Sequence, residues 1–200
     1  MERPAVFLDK DGTLLEDVPF NVDPERMRLA PRAADALRLL GSLDVPLIVI
    51  SNQSGVALDK FELGALYAVQ AHLEALFTEQ GAHLTGFYTC PHHPQGTVAI
   101  YAVRCACRKP QPGMLYLAAA LHAVDLSRSW LVGDILDDVE AGNRSGCKTV
   151  LVDNGNETLR AHGPFRTPDL IVGDLFQAAC AISRTFGPRK YTVVSDARAK

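Results

Sequence analysis

The chain alternates between short continuous apolar runs and longer amphipathic stretches. The runs are "AVFLD" (Ala5 to Asp9), "PLIVISN" (Pro46 to Asn52), "LTGFYTC" (Leu84 to Cys90), "SWLVGD" (Ser129 to Asp134) and "KTVLVD" (Lys148 to Asp153), with a weaker sixth in "DLIVGD" (Asp169 to Asp174). They lack strict alternation and end in polar residues, which is the pattern of strands buried on both faces of a parallel sheet. Between them the spacing predicts helices over Pro31 to Leu43, Phe61 to Gln80, Met114 to Ala123 and Asp137 to Ser145; in the second, Leu66, Val69, Leu73 and Leu76 recur at three and four. Strand and helix in alternation predict an α/β fold with a doubly wound, Rossmann-like parallel sheet. Ligands of such sheets sit at the carboxyl ends of the strands. Those ends carry Asp9 and Asp11, Ser51 and Asn52, and Asp134, which are distant in sequence and are expected to converge in space.

At 200 residues the chain suits one domain with a substantial core. We place it at residues 1–186, leaving "GPRKYTVVSDARAK" (Gly187 to Lys200), with its strand-like centre and polar ends, as a loosely docked tail. The composition, 48% hydrophobic and 22% charged, is that of an ordinary globular protein. A net charge of -3 gives no electrostatic reason to expect nucleic acid or a membrane surface as partner. No apolar run approaches the roughly 20 residues of a membrane span. The N-terminus lacks a basic segment followed by an apolar one, which predicts a cytoplasmic protein. The lack of an obvious apolar surface helix predicts a monomer.

"VFLDKDGTLLED" sets Asp9 and Asp11 one residue apart at the mouth of the first strand. D-G-T after a strand is also ordinary turn chemistry, so this pair alone leaves both readings open. Asp134 ends another strand in "VGDILDD", and three carboxylates meeting in one crevice repel unless a cation neutralises them. A hard divalent ion with oxygen ligands, Mg²⁺ above all, fits. Carboxylates, Mg²⁺ and a lysine are the parts phosphoryl transfer needs.

Of the five cysteines, Cys90, Cys105 and Cys107 crowd into one stretch, while Cys147 and Cys180 stand alone in apolar surroundings. The clustering suggests metal in preference to a disulfide framework. In "CPHHPQGTVAIYAVRCACRKP" the ligand types fall as Cys90-x-His92 and Cys105-x-Cys107, a closed tetrahedral set for a structural Zn²⁺ in a loop spanning residues 90–110. His93 is an alternative to His92, and the shorter Cys-x-His spacing favours His92. The competing interpretation is a pair of buried cysteines with exposed histidines. His72, His83, His122 and His162 read as exposed helix or loop residues. The loop delivers Arg108 and Lys109 directly after its last ligand, so zinc would order a substrate-facing segment without entering the chemistry. "GNRSGCKT" (Gly142 to Thr149) superficially suggests a phosphate-binding loop, but its glycine spacing is wrong and it leads into a strand, so we read it as a helix-to-strand connection.

Four segments in order, "DKDGT" (Asp9 to Thr13), "SNQSG" (Ser51 to Gly55), Lys109 in "CRKP" and "GDILDD" (Gly133 to Asp138), make the chain similar to the haloacid dehalogenase-like superfamily of phosphatases as far as about Ser183. The resemblance implies that Asp9 attacks phosphorus to give an aspartyl phosphate and that Asp11 serves as acid and then base. It implies Mg²⁺ held by the Asp9 carboxylate, the Asp11 main-chain carbonyl and Asp134, with Asp138 behind them. Ser51 and Lys109 would bind the phosphoryl oxygens. The zinc loop further resembles the D-glycero-D-manno-heptose 1,7-bisphosphate 7-phosphatases, which lack a large cap domain; histidinol-phosphate phosphatases are close relatives with a shorter ligand loop. By that likeness a small phosphorylated sugar is the substrate. Lys109 would take its reacting phosphate and Arg108 the distal one as a bidentate fork. Asp17, Val18, Pro19 and Phe20, together with Ser51, Asn52, Gln53 and Ser54, would line the sugar site. Ile135 stands where some relatives place a lysine, and Phe20 where a tyrosine is common. The alternatives are hydrolysis of histidinol phosphate or another small phosphate ester, and a phosphate-binding or zinc-stabilised interaction protein without turnover.

Overall fold

The computed structural model of the protein describes residues 2–157 and 161–186; the tail expected at Gly187 to Lys200 lies outside the described residues. The strands are β1 (Val6–Leu8), β2 (Leu47–Asn52), β3 (Leu84–Cys90), β4 (Trp130–Gly133), β5 (Lys148–Val152) and β6 (Leu170–Val172). They form one sheet in the order β3-β2-β1-β4-β5-β6. Every pairing is parallel. The helices are α1 (Ala33–Gly41), α2 (Ala65–Glu79), α3 (Gly113–His122), α4 (Leu136–Ser145) and α5 (Leu175–Phe186).

The apolar runs are continuous because both faces of the sheet are covered. Val6, Leu8, Leu47, Val49, Trp130 and Val132 belong to a cluster that includes residues of α1, α2 and α5. Phe7, Ile48, Ile50 and Leu131 point the other way, into a cluster with Met114, Leu115 and Ala118 of α3 and Ala141 of α4. Alternate residues thus serve opposite cores. At the β6 edge the cover thins, with Leu170 and Ile171 exposed, which explains why this run is the weakest in the sequence.

The chain winds from β1 outward to β3, returns to β4 beside β1, and winds outward again to β6. The reversal leaves a crevice between the carboxyl ends of β1 and β4, where a doubly wound sheet binds its ligand. Asp9 follows β1 and Asp134 follows β4; the Asp9 N–H donates to the Val132 carbonyl at 2.9 Å, continuing the ladder to the edge of the crevice. The stretch "GNRSGCKT" links α4 to β5, as the sequence reading expects.

Two expectations need correction. The sequence reading assigns no helix after the sixth strand, yet α5 buries Leu175, Ala178, Ala179 and Ile182. Their spacing at three and four is a helical signal, interrupted by polar residues and easily passed over in a segment with many small residues. The expectation of no apolar surface helix also fails, since α3 exposes Tyr116, Leu117 and Leu121. Among the described residues no helix is long and apolar enough to cross a membrane.

Ile182 is fully buried in the cluster shared with α1 and the sheet. Ile182→Ala is therefore expected to lower unfolding free energy by about 2–5 kcal/mol, read from the midpoint of a urea titration. A change below about 0.5 kcal/mol would mean that α5 is not integral to the core.

Candidate active site

The crevice is a solvent-open cleft of about 220 Å³ lined by Asp9, Asp11, Asp17, Ser51, Asn52, Lys109, Asp134, Ile135 and Asn156. Seven of the residues expected from sequence thus meet in one place, drawn from the ends of β1, β2 and β4 and from the loop before α3. The turn after β1 carries Gly12 at φ 83, and a Cβ there would overlap the Asp134 carboxylate. Glycine is required both for the backbone and for the close approach of the two strand ends.

Lys109 is a buried cation that lines the site. Its ammonium donates to Asp9 Oδ1 and to the Ile50 carbonyl at 3.3 Å. It also lies 2.5 Å from Asp138 Oδ1, an ion pair lacking good hydrogen-bond alignment. Burial alone would lower the Lys109 pKa, but Asp138 and Asp9 outweigh it and hold the group protonated above its ordinary value. Asn52 fixes the backbone beneath it: the Asn52 amide donates to the Lys109 carbonyl at 3.1 Å and accepts from the Lys109 N–H at 3.0 Å. Expected from sequence at the sugar site, Asn52 lines the cleft while clamping the lysine.

The carboxylates divide by environment. Burial raises the Asp11 pKa above the usual range, with Lys10 opposing, and the fully buried Lys10 ammonium stands 2.5 Å from Asp11 Oδ1. Gln53, buried behind the cleft, donates to both Asp11 Oδ2 at 3.1 Å and Ser51 Oγ at 2.8 Å. Burial and the neighbouring Asp9 push Asp134 up to about 6, and burial also drives Asp138 upward. Asp9, Asp134 and Asp138 offer oxygens that all lie within 4.8 Å of one another. One lysine against three buried carboxylates leaves negative charge uncompensated, so the donor set suits a hard cation.

A second cluster lies at the end of β3. The Sγ atoms of Cys90, Cys105 and Cys107 and Nδ1 of His92 all lie within 4.8 Å of one another. Cys90 to Cys107 is 3.1 Å, Cys105 to Cys107 3.3 Å, Cys90 to Cys105 3.6 Å, and His92 Nδ1 is 3.3 Å from Cys107 and 3.6 Å from Cys90. These separations exceed a disulfide bond, and all five cysteines are free. They approach the roughly 3.7 Å edges that Zn–S bonds of about 2.3 Å give a tetrahedron. His93 is engaged elsewhere, its Nδ1 accepting from the Gln95 N–H at 3.2 Å. The loop docks through the Thr97 and Val98 N–H groups, which donate to the Ala57 carbonyl at 2.8 and 3.0 Å. Gly96 allows that approach, because a Cβ would stand 2.7 Å from the same oxygen.

Val18, Pro19, Phe20, Ser54 and Arg108 do not line the cleft. Phe20 is 47% exposed at φ 55. The Arg108 guanidinium instead donates to the His92 carbonyl at 3.4 Å, held toward the cysteine loop. His122 is half-buried and lies 2.7 Å from the Tyr88 hydroxyl, and His72 is half-buried on α2, so neither is the exposed residue expected from sequence. Asn156 is the lining residue the sequence reading missed. The cluster of turn residues "DNGNE" after the fifth strand was its available signal.

A parallel sheet whose switch point gathers an aspartate pair, a serine, a lysine and further aspartates defines a hydrolase of the haloacid dehalogenase-like class. The family model described as HAD-hydrolase-like matches residues 106–178. The chain is 38% identical over 196 residues to the D-glycero-D-manno-heptose-1,7-bisphosphate 7-phosphatase of Thermosynechococcus vestitus, covering 94% of this chain and 100% of the relative. It is 37% identical over 153 residues to the D-glycero-beta-D-manno-heptose-1,7-bisphosphate 7-phosphatase of Escherichia coli K12, covering 76% of this chain and 80% of that one. A crystal structure of D,D-heptose 1,7-bisphosphate phosphatase from B. bronchiseptica, complexed with magnesium and phosphate, matches with a TM-score of 0.77 at 30% identity, covering 90% of this chain and 98% of that one. The chain belongs to the D-glycero-D-manno-heptose-1,7-bisphosphate 7-phosphatase family of haloacid dehalogenase-like phosphatases.

Proposed function

We propose that this protein is a Mg²⁺-dependent phosphatase that removes the C7 phosphate of D-glycero-D-manno-heptose 1,7-bisphosphate, in the formation of nucleotide-activated heptose. The observation that carries the reading is the buried Lys109 ammonium bonded to Asp9 at the β1–β4 crevice, together with the 38% identity to a relative of that name along its whole length. One catalytic domain spans residues 1–186 and works in the cytoplasm.

Asp9 attacks phosphorus with a carboxylate oxygen, forming a P–O bond as the bond to the sugar oxygen breaks. Asp11 gives its proton to that oxygen; its raised pKa suits an acid that must be protonated before the first step. In the second step Asp11 takes a proton from water, the water oxygen displaces Asp9 from phosphorus, and both carboxyl groups return to their starting states. Ser51 and Lys109 hold the phosphoryl oxygens, while Gln53 keeps Ser51 and Asp11 in register. Asp9, Asp134 and the Asp11 main-chain carbonyl would hold Mg²⁺, supported by Asp138, and when bound it would supply positive charge against the transferring group. Cys90, His92, Cys105 and Cys107 would hold a structural Zn²⁺. Asp17 and Asn52 contact the sugar from the cleft wall, with Val18, Pro19, Phe20, Gln53 and Ser54 around them. Arg108 binds the distal phosphate after leaving the His92 carbonyl.

The decisive assay compares kcat/KM for phosphate release from both anomers of heptose 1,7-bisphosphate and from histidinol phosphate, with Mg²⁺ present. At least a tenfold preference for a heptose anomer, about 1.4 kcal/mol in transition-state binding, is expected. A preference for histidinol phosphate would overturn the substrate while leaving the chemistry.

The ion also gives a pH signature. Asp134 at about 6, with Asp11 and Asp138 also raised, means that the folded protein binds more protons than the unfolded chain. This contribution to stability is full below the ordinary carboxylate pKa near 4 and is lost as pH rises through about 6. Asp35 and Glu140, lowered mainly by arginine partners, act in the opposite sense and at lower pH. Added Mg²⁺ is therefore expected to raise Tm by more at pH 7.5 than at pH 5, measured against Mg²⁺-free buffer. Equal increments at the two pH values would argue against these carboxylates as its ligands.

A further inference from the structure

We propose that Asn156 is a positioning residue for Asp134, fixing the carboxylate in the orientation that accepts the divalent ion. The inference rests on the reading of Asp9 and Asp134 as ligands of that ion. Asn156 Nδ2 donates to Asp134 Oδ2 at 2.7 Å, and Thr13 Oγ1 donates to the other oxygen at 3.2 Å. The carboxylate is thereby held from both sides, one donor from the turn after β1 and one from the loop after β5.

Asn156 is itself anchored to the site. Its N–H donates to Asn154 Oδ1 at 3.1 Å, and Asn154 Nδ2 donates to the Gly12 carbonyl at 2.6 Å. The next residue, Glu157, accepts the Leu136 N–H at 2.6 Å at the start of α4. Three side chains of one short loop therefore tie down the turn that carries Asp11, the carboxylate of Asp134 and the first turn of the helix that carries Asp138. A carboxylate crowded by Asp9 is repelled from it until the ion arrives. A neutral N–H donor restrains that movement without competing with the ion for charge. Outer hydrogen-bond partners of metal ligands typically contribute about 10- to 100-fold in affinity.

The test uses Mn²⁺ as the probe, with binding read from the EPR signal of the free ion in the absence of substrate. The wild type, Asn156→Ala, Asn156→Leu and, as a control, Asp134→Asn are compared. The wild type is expected to bind and Asp134→Asn to lose binding. Both Asn156 variants should bind about 10-fold or more weakly, with Tm in metal-free buffer close to wild type because the side chain is exposed. In turnover assays the metal concentration for half-maximal rate should rise by the same factor, with most of the rate returning at high metal. Wild-type affinity in both Asn156 variants would overturn the role and leave the metal site standing. Weak binding by the alanine variant alone would assign the effect to packing and overturn the donor role. Unchanged Mn²⁺ affinity with a raised KM for the phosphate ester would make Asn156 a substrate contact. Wild-type protein that fails to bind, or Asp134→Asn that binds normally, would remove the metal reading and this inference with it.

Discussion

Asp9→Asn is expected to abolish turnover, by at least about 10⁴-fold in kcat, while the protein keeps its fold. The amide has nearly the shape of the carboxylate but is a far weaker nucleophile, so no phosphoryl-enzyme forms. Rapid acid quench of the wild type with radiolabelled substrate should trap acid-stable, base-labile phosphate on the protein; the variant should trap none. Asp9 is buried beside Lys109 and Asp138, so the substitution also removes one negative charge from a crowded set. The melting temperature in Mg²⁺-free buffer should therefore hold or rise even as activity disappears. A variant that turned over at the wild-type rate would exclude Asp9 as the attacking group.

The second large effect is expected at the cysteine cluster. Cys107→Ser should lower bound zinc from one ion per chain toward none, measured by atomic emission, and reduce kcat/KM by about 100-fold. The reasoning is positional. Cys107 lies two residues before Lys109, and Arg108 between them donates its N–H to Cys105 Sγ at 3.4 Å, so a displaced loop displaces both cations. Structural zinc sites contribute folding free energy outright in small domains. Here the two main hydrophobic clusters draw on the sheet and on helices from both halves of the chain, so most of the fold should survive with a modest fall in Tm. Full activity in zinc-free Cys107→Ser protein would overturn the ordering role.

The parallel sheet was legible because burial on both faces leaves no alternation to confuse with a half-exposed strand. The candidate residues Asp9, Asp11, Ser51 and Asp134 were legible because each sits at or just past the end of such a run; Lys109, in the loop before α3, was legible only from its motif and from chemistry that a surface has little reason to concentrate. What remained hidden depends on side-chain reach. Nothing in "SNQSG" distinguishes Asn52, which clamps the Lys109 backbone, from Gln53, which joins Ser51 to Asp11. Asn156 was hidden because its partner, Asp134, lies a helix and a strand earlier in the chain. Arg108 follows the last cysteine of the cluster as expected, yet its side chain turns to the His92 carbonyl, a choice set by local packing that the sequence does not display.

The reversal of winding at β1 and β4 has a consequence for how this enzyme comes into being. Asp9, Ser51, Lys109 and Asp134 reach the cleft from separate segments, and their alignment depends on strands that pair far along the chain. No half of the polypeptide holds a working fraction of the machinery. During synthesis or refolding, catalytic competence should appear late and abruptly, making phosphate release a sensitive gauge of whether the entire sheet has closed.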